Sequence, residues 1–193
     1  MNKFLCSTLI ALAASSLAHA EDLYIGAGFS AADKGHIRYT GSGGVEHDSE
    51  AKRSGVAAGL FVGYVLSPSW ALEAGYRGIG NTQKFDLDPG YQIKVRTGMT
   101  YLAARNTWRL SEDWALYGKL GVAQGRLKAG IIGKDAPPDA TVKKNGVYLG
   151  LGASYMVSKD IALQLELEHT HKLRLEGLNA SMDKFSLGVR VGF

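Results

Sequence analysis

The sequence predicts an all-β protein, an eight-stranded antiparallel up-and-down transmembrane β-barrel, from three observations. First, a polar turn running into an aromatic or branched residue and then Ala-Leu occurs three times: Ser67-Pro68-Ser69-Trp70-Ala71-Leu72, Ser111-Glu112-Asp113-Trp114-Ala115-Leu116 and Ser158-Lys159-Asp160-Ile161-Ala162-Leu163. Second, the segments flanking these turns alternate residue by residue, the period of strands joined by hairpins. Third, one face of that alternation is large and apolar while the other mixes glycine with charge. A soluble barrel has the opposite polarity, with its large apolar residues inside.

The elements follow in chain order. Lys3, the apolar stretch from Phe4 to Leu17 and the small-residue site Ala18-His19-Ala20 predict a secretory signal peptide over residues 1–20, cut after Ala20. The apolar stretch is shorter than the roughly 20 residues a spanning helix needs. Residues 21–193 are expected to form one barrel domain; losing Lys3 takes its formal charge from +4 to +3. Those charges are scattered, with no Lys/Arg-rich run and no nucleic-acid motif, so no nucleic-acid partner is expected. Cys6 is the single cysteine and lies in the leader, which leaves the mature chain without a thiol, a disulfide or a cysteine metal site. Twenty-five glycines against four prolines suit tightly curved strands around a narrow interior.

Period-2 alternation predicts strands over residues 22–31, 54–66, 70–78, 96–110, 114–126, 144–157, 161–169 and 183–193. In the seventh, Ile161, Leu163, Leu165 and Leu167 alternate with Ala162, Gln164, Glu166 and Glu168. In the eighth, Phe185, Leu187, Val189, Val191 and Phe193 alternate with Lys184, Ser186, Gly188, Arg190 and Gly192. The short turns at 67–69, 111–113 and 158–160 alternate with long polar loops at 32–53, 79–95, 127–143 and 170–182, as periplasmic turns and extracellular loops do in bacterial outer-membrane barrels. Trp70, Trp108 and Trp114 cluster at the short-turn end on the apolar register, an aromatic girdle with each ring in lipid and its N–H among headgroups. Asn106 interrupts that register, which a β-bulge or a different local register would explain. With an export signal in front, the expected location is the bacterial outer membrane.

Four segments carry a family likeness: Ala20-Glu21-Asp22-Leu23-Tyr24-Ile25-Gly26, Leu72-Glu73-Ala74-Gly75-Tyr76-Arg77, Tyr148-Leu149-Gly150-Leu151-Gly152-Ala153-Ser154-Tyr155, and Leu187-Gly188-Val189-Arg190-Val191-Gly192-Phe193. In their order, spacing and terminal Phe193, the chain resembles the opacity-protein and OmpA-like outer-membrane barrels. The resemblance implies insertion by the outer-membrane assembly machinery, which in such proteins reads the last strand and its terminal aromatic. It also implies a role in adhesion to host surfaces, binding of host factors or envelope maintenance, with no peptidoglycan-binding domain after the barrel. Outer-membrane lipid and lipopolysaccharide, and host surface molecules, are the expected partners of a monomer.

The inward register collects Glu73, Arg77, Arg105, Arg109, Lys119, Glu166, Glu168 and Arg190. In a narrow barrel these charges must meet one another or water, so an ion network filling the lumen is expected, with Glu166 paired to Arg190 on the neighbouring strand. A narrow channel is the competing function. A lipid A-modifying hydrolase is the third, but His169-Thr170-His171 lacks the hydroxyl nucleophile in the required place, so no enzyme activity is expected. His36, His47, His169 and His171 are read as solvated rim residues. Gly35–Gly44 has no strand-to-helix setting for a phosphate cradle, Asp86–Gly90 lacks a full set of calcium ligands, and Asp135–Asp139 is a stiff exposed tip. No metal and no cofactor is expected.

Overall fold

The computed structural model describes residues 22–31, 36–40, 46–50, 56–79, 82–86, 92–132, 139–170, 173–175, 178–180 and 184–193. The predicted signal peptide and its cleavage site lie outside them. The strands in chain order are β1 (Leu23–Ala31), β2 (His36–Thr40), β3 (Glu46–Glu50), β4 (Val56–Ser67), β5 (Trp70–Ile79), β6 (Thr82–Asp86), β7 (Gln92–Arg109), β8 (Trp114–Ile132), β9 (Ala140–Met156), β10 (Ile161–Thr170), β11 (Leu173–Leu175), β12 (Leu178–Ala180) and β13 (Lys184–Gly192).

Eight of them, β1, β4, β5, β7, β8, β9, β10 and β13, form an antiparallel ring in which each pairs with its sequence neighbours along the wall. The pairing of β1 with β13, from Tyr24↔Gly192 to Ser30↔Ser186, joins the two ends of the barrel and leaves no open edge. Where β5 ends, Gly78 takes a positive φ of 107°, and a side chain there would run into the Thr97 carbonyl; β6 then continues the wall against the upper part of β7.

The thrice-repeated turn has one cause. In each, the serine Oγ accepts the backbone N–H three residues on, from Trp70 to Ser67 (3.2 Å), from Trp114 to Ser111 (3.1 Å) and from Ile161 to Ser158 (3.2 Å). The alanine after each turn then points into the lumen and the leucine outward. Trp70, Trp108 and Trp114 all stand on the outer face at this end, Trp114 packed against Tyr155 with ring centroids 5.0 Å apart.

The outer face is apolar, with Leu151 65% and Leu187 57% exposed, and the interior is charged, with Glu73 0% and Arg105 1% exposed. Large lumen aromatics stand opposite glycines: Phe61 opposite Gly26, Tyr24 opposite Gly63, Tyr101 opposite Gly75 and Tyr117 opposite Gly152. A Cβ on any of these glycines would overlap the facing ring. The glycines thus provide the width that lets rings lie across a narrow bore.

Several sequence expectations change. β7, β8 and β9 run past the predicted ends at 96, 126 and 144, so parts of the expected loops 79–95 and 127–143 are wall. The cause is a polarity flip: above Thr100, Gln124 and Asn145 the outward residues become Lys94, Arg96, Arg126, Lys128 and Lys143, while Val95, Met99 and Leu127 are buried inside. The period persists but its apolar phase changes face. The expected loops 32–53 and 170–182 contain β2, β3, β11 and β12, paired as a four-stranded sheet in the order β11-β12-β2-β3. At Asn106 there is no bulge, since β7 keeps register with β8 through it and with β5 up to it. Its Nδ2 donates to the Ser69 carbonyl at 3.2 Å at the turn; the irregularities of the β4–β5 pairing lie between Ala58 and Gly59 and between Val65 and Ser67 of β4 instead.

Candidate functional site

The lumen is where the chain concentrates its charge. β5 brings Glu73 and Arg77, β7 brings Arg105, β8 brings Lys119, β10 brings Glu166 and Glu168, each on the inward phase. Lys119 sits between two carboxylates, with Nζ 2.6 Å from Glu73 Oε1 and 2.8 Å from Glu166 Oε2. Glu73 also accepts from the Tyr101 hydroxyl (2.6 Å) and the Tyr24 hydroxyl (3.1 Å), with Arg105 Nη1 3.6 Å away. Glu166 accepts from Tyr148 (3.0 Å) and Tyr117 (3.2 Å), with Arg77 Nη2 3.8 Å away. Arg77 Nε lies 2.9 Å from Glu168 Oε1, yet its N–H has no aligned acceptor, so this is a contact of charges rather than a hydrogen bond. Ser186 donates to the same Glu168 oxygen at 3.2 Å.

Arg105 lies across the ladder from Lys119, and the two cations share Glu73 through its two oxygens but diverge beyond it, Lys119 to Glu166 and Arg105 to Tyr117 and Gln164. The Arg105 guanidinium lies 3.8 Å from the Tyr117 ring centroid. With its amide oriented to present oxygen, Gln164 accepts from both Arg105 terminal nitrogens at 2.9 and 3.1 Å. Each desolvated charge in this plug therefore meets an opposite charge, a phenol or an amide, which is what makes its burial tolerable.

Two of the predicted residues stand apart. Arg190 does not pair with Glu166: it lies opposite Ala162, while Glu166 faces Ser186, two inward positions further up. Its Nη2 approaches Met156 Sδ at 3.7 Å, and its guanidinium stands 5.2 Å from the Tyr24 ring centroid. Arg109 is exposed at the short-turn mouth, on the rim of a cavity of about 430 Å³ that also meets Arg105, Arg190 and Glu112. The sequence reading missed Tyr24, Phe61, Tyr101 and Tyr117 as lumen residues. Their signal was available: each falls on the inward phase, glycine-rich in β1 and β4 and charged in β7 and β8, rather than on the apolar one. His169 stands exposed on the outer face of β10; His36 and His47 lie on the loop strands β2 and β3, and His171 lies outside the described residues. Among the described residues no cluster of three or more His, Cys, Asp or Glu has the spacing of a metal site.

A closed antiparallel barrel with an apolar exterior, an interfacial row of tryptophans and a polar interior defines a membrane-spanning β-barrel. The sequence matches the outer membrane protein beta-barrel domain model over residues 4–193, and the chain belongs to that family of outer-membrane barrels. Solved structures with the same fold include Neisserial surface protein A (TM-score 0.58, 16% identity, 89% of this chain and 97% of that one). They also include the attachment invasion locus protein Ail of Yersinia pestis (0.54, 14%, 89% and 98%) and OprG of Pseudomonas aeruginosa (0.55, 14%, 89% and 95%). No curated protein sequence matches the chain.

Proposed function

We propose that this barrel is a non-conducting, non-catalytic scaffold whose long loops carry contacts to other surfaces, in adhesion, host-factor binding or envelope integrity. The observation that carries this reading is the lumen plug. The side chains of Glu73 and Lys119 are 0% exposed, and tyrosines surround their ion pair, so the bore is occupied by the protein itself. The pairing of β12 with β2 supports the loop reading, because it ties the first and last long loops into one sheet above the wall. The names of two proteins of like fold, an attachment and invasion protein and a surface protein, agree with it.

The test replaces residues 33–52 and 172–181 by short Gly/Ser turns. Such a variant is expected to fold and insert as the native protein does while losing attachment of expressing cells to host cells or matrix. Undiminished attachment would remove the loops from the function. Lipid A from expressing and deletion strains is expected to give identical mass spectra; a changed acylation pattern would make the protein an enzyme.

A further inference from the structure

The outer wall of β7, β8 and β9 does not end where its apolar belt ends. The last apolar outward rung is Leu102, Val122 and Val147. Directly above it stand Thr100, Gln124 and Asn145, the latter two joined by a 3.0 Å hydrogen bond from Gln124 Nε2 to Asn145 Oδ1. The next rungs carry Arg126 opposite Lys143 and Arg96 opposite Lys128, with Lys94 above. Both are direct cross-strand pairs of like charge on neighbouring strands only ~4.8 Å apart, an arrangement that disfavours folding unless an anion lies between them. Asp139 is the carboxylate that meets the patch among the described residues, 2.8 Å from Lys128, so five cations face one anion.

The patch is also shaped. A hollow of about 730 Å³ lies on this side, bordered by Tyr76, Gly98, Arg96, Arg126, Lys128 and Lys143. On the opposite sector, Phe29, Leu167 and Phe185 keep the wall apolar up to the rung below His169. The cations therefore form one side-facing sector, a single polar rung above lipid-contacting residues. A soluble polyanion would be met most readily by the loop tips, whereas this surface looks sideways into the headgroup layer.

We propose that this sector is a docking site for the phosphate groups of a phosphorylated glycolipid of the lipopolysaccharide type in the surrounding leaflet, held between Arg96, Arg126, Lys128 and Lys143. Paired guanidinium and ammonium groups at this depth supply charge-assisted hydrogen bonds to phosphate, while the acyl chains lie against the belt below.

The test uses the folded protein purified from outer membranes and placed in phosphatidylcholine nanodiscs doped with bisphosphorylated lipid A or with its dephosphorylated form; retained lipid is counted by native mass spectrometry. Arg96→Gln, Arg126→Gln, Lys128→Gln and Lys143→Gln combined are expected to lower retention of bisphosphorylated lipid A by about tenfold or more. Retention of the dephosphorylated lipid is expected to stay low and unchanged. Arg126→Lys, which keeps the charge, and Arg109→Gln, at the opposite end, are expected to bind as the native protein does, and the heat-modified gel shift verifies that every variant is folded. Equal retention by native and quadruple variant would overturn the proposal. So would preference for a soluble heparin-type oligosaccharide with no retention of lipid A, which would assign the patch to a soluble polyanion.

Discussion

At the scale of single residues, Lys119 is the hinge of the lumen chemistry, because one ammonium serves both Glu73 and Glu166. Lys119→Met keeps the volume and leaves two desolvated carboxylates without their shared cation, so a loss of about 3–5 kcal/mol is expected in equilibrium unfolding from lipid vesicles. Native-like stability of that variant would show that the network is not what holds the interior. Arg190→Ala, by contrast, removes a half-buried group that pairs with no carboxylate among the described residues, and a loss of under about 1 kcal/mol is expected in the same titration. These two outcomes separate what was legible from what was not. The inward phase led to Glu73, Arg77, Arg105, Lys119, Glu166 and Glu168, which are buried, while Arg109 on the same phase is exposed at the mouth; the choice of partner depends on strand stagger, which a sequence does not display, and a shift of two inward positions gave Glu166 to Lys119 rather than to Arg190. Outside the membrane, Lys128 holds the exposed Asp139 carboxyl below the usual Asp range, helped by Arg96 and Lys94. A depressed folded-state value means that the clasp between β8 and the start of β9 is present at neutral pH and is lost as the pH falls through that value. An NMR titration of Asp139 is expected to show a midpoint below that of free Asp; a midpoint at or above it would remove the clasp.

At the scale of elements, the turn repeat was legible because the same serine hydrogen bond recurs at each short hairpin. Ser67→Ala, Ser111→Ala and Ser158→Ala are each expected to cost about 0.5–1.5 kcal/mol and to add nearly linearly, since they share no partners. A triple variant that loses no more than a single one would deny the turns a common role. Strand ends were less legible. Alternation was read for its apolar outward phase, and β7, β8 and β9 reverse that phase where the solvent changes from lipid to water: Leu102 faces out, but so does Arg96 six residues earlier on the same strand. Read as a change of face rather than as the end of a strand, the same residues mark the outer boundary of the membrane. The short strand β3 has no apolar residue, β2, β11 and β12 are only three to five residues long, too short for alternation to stand out, and their pairing depends on two loops distant in sequence meeting above the barrel.

At the scale of the molecule, the fold is a barrel turned inside out, and its stability must vary with depth on the outer wall. Leu165 and Leu187 are cross-strand neighbours on the lipid side; arginine at either is expected to cost about 2–4 kcal/mol in vesicle folding titrations, while Thr100→Arg, one rung above the belt, is expected to cost about 0–1. The reverse order would invert the assignment of inside and outside. The family, the leaflet-facing wall, the charged lumen and the inward phase of the plug's tyrosines were all readable from period, polarity and glycine content, whereas which carboxylate each tyrosine meets emerges only when the strands are set in register. That plug carries the central claim, a barrel closed at its waist by Glu73, Lys119, Glu166 and the rings around them. Recording from single molecules of the native protein in planar bilayers tests it most directly: no unitary current steps are expected at any holding voltage, and regular, reproducible steps of one size would contradict it.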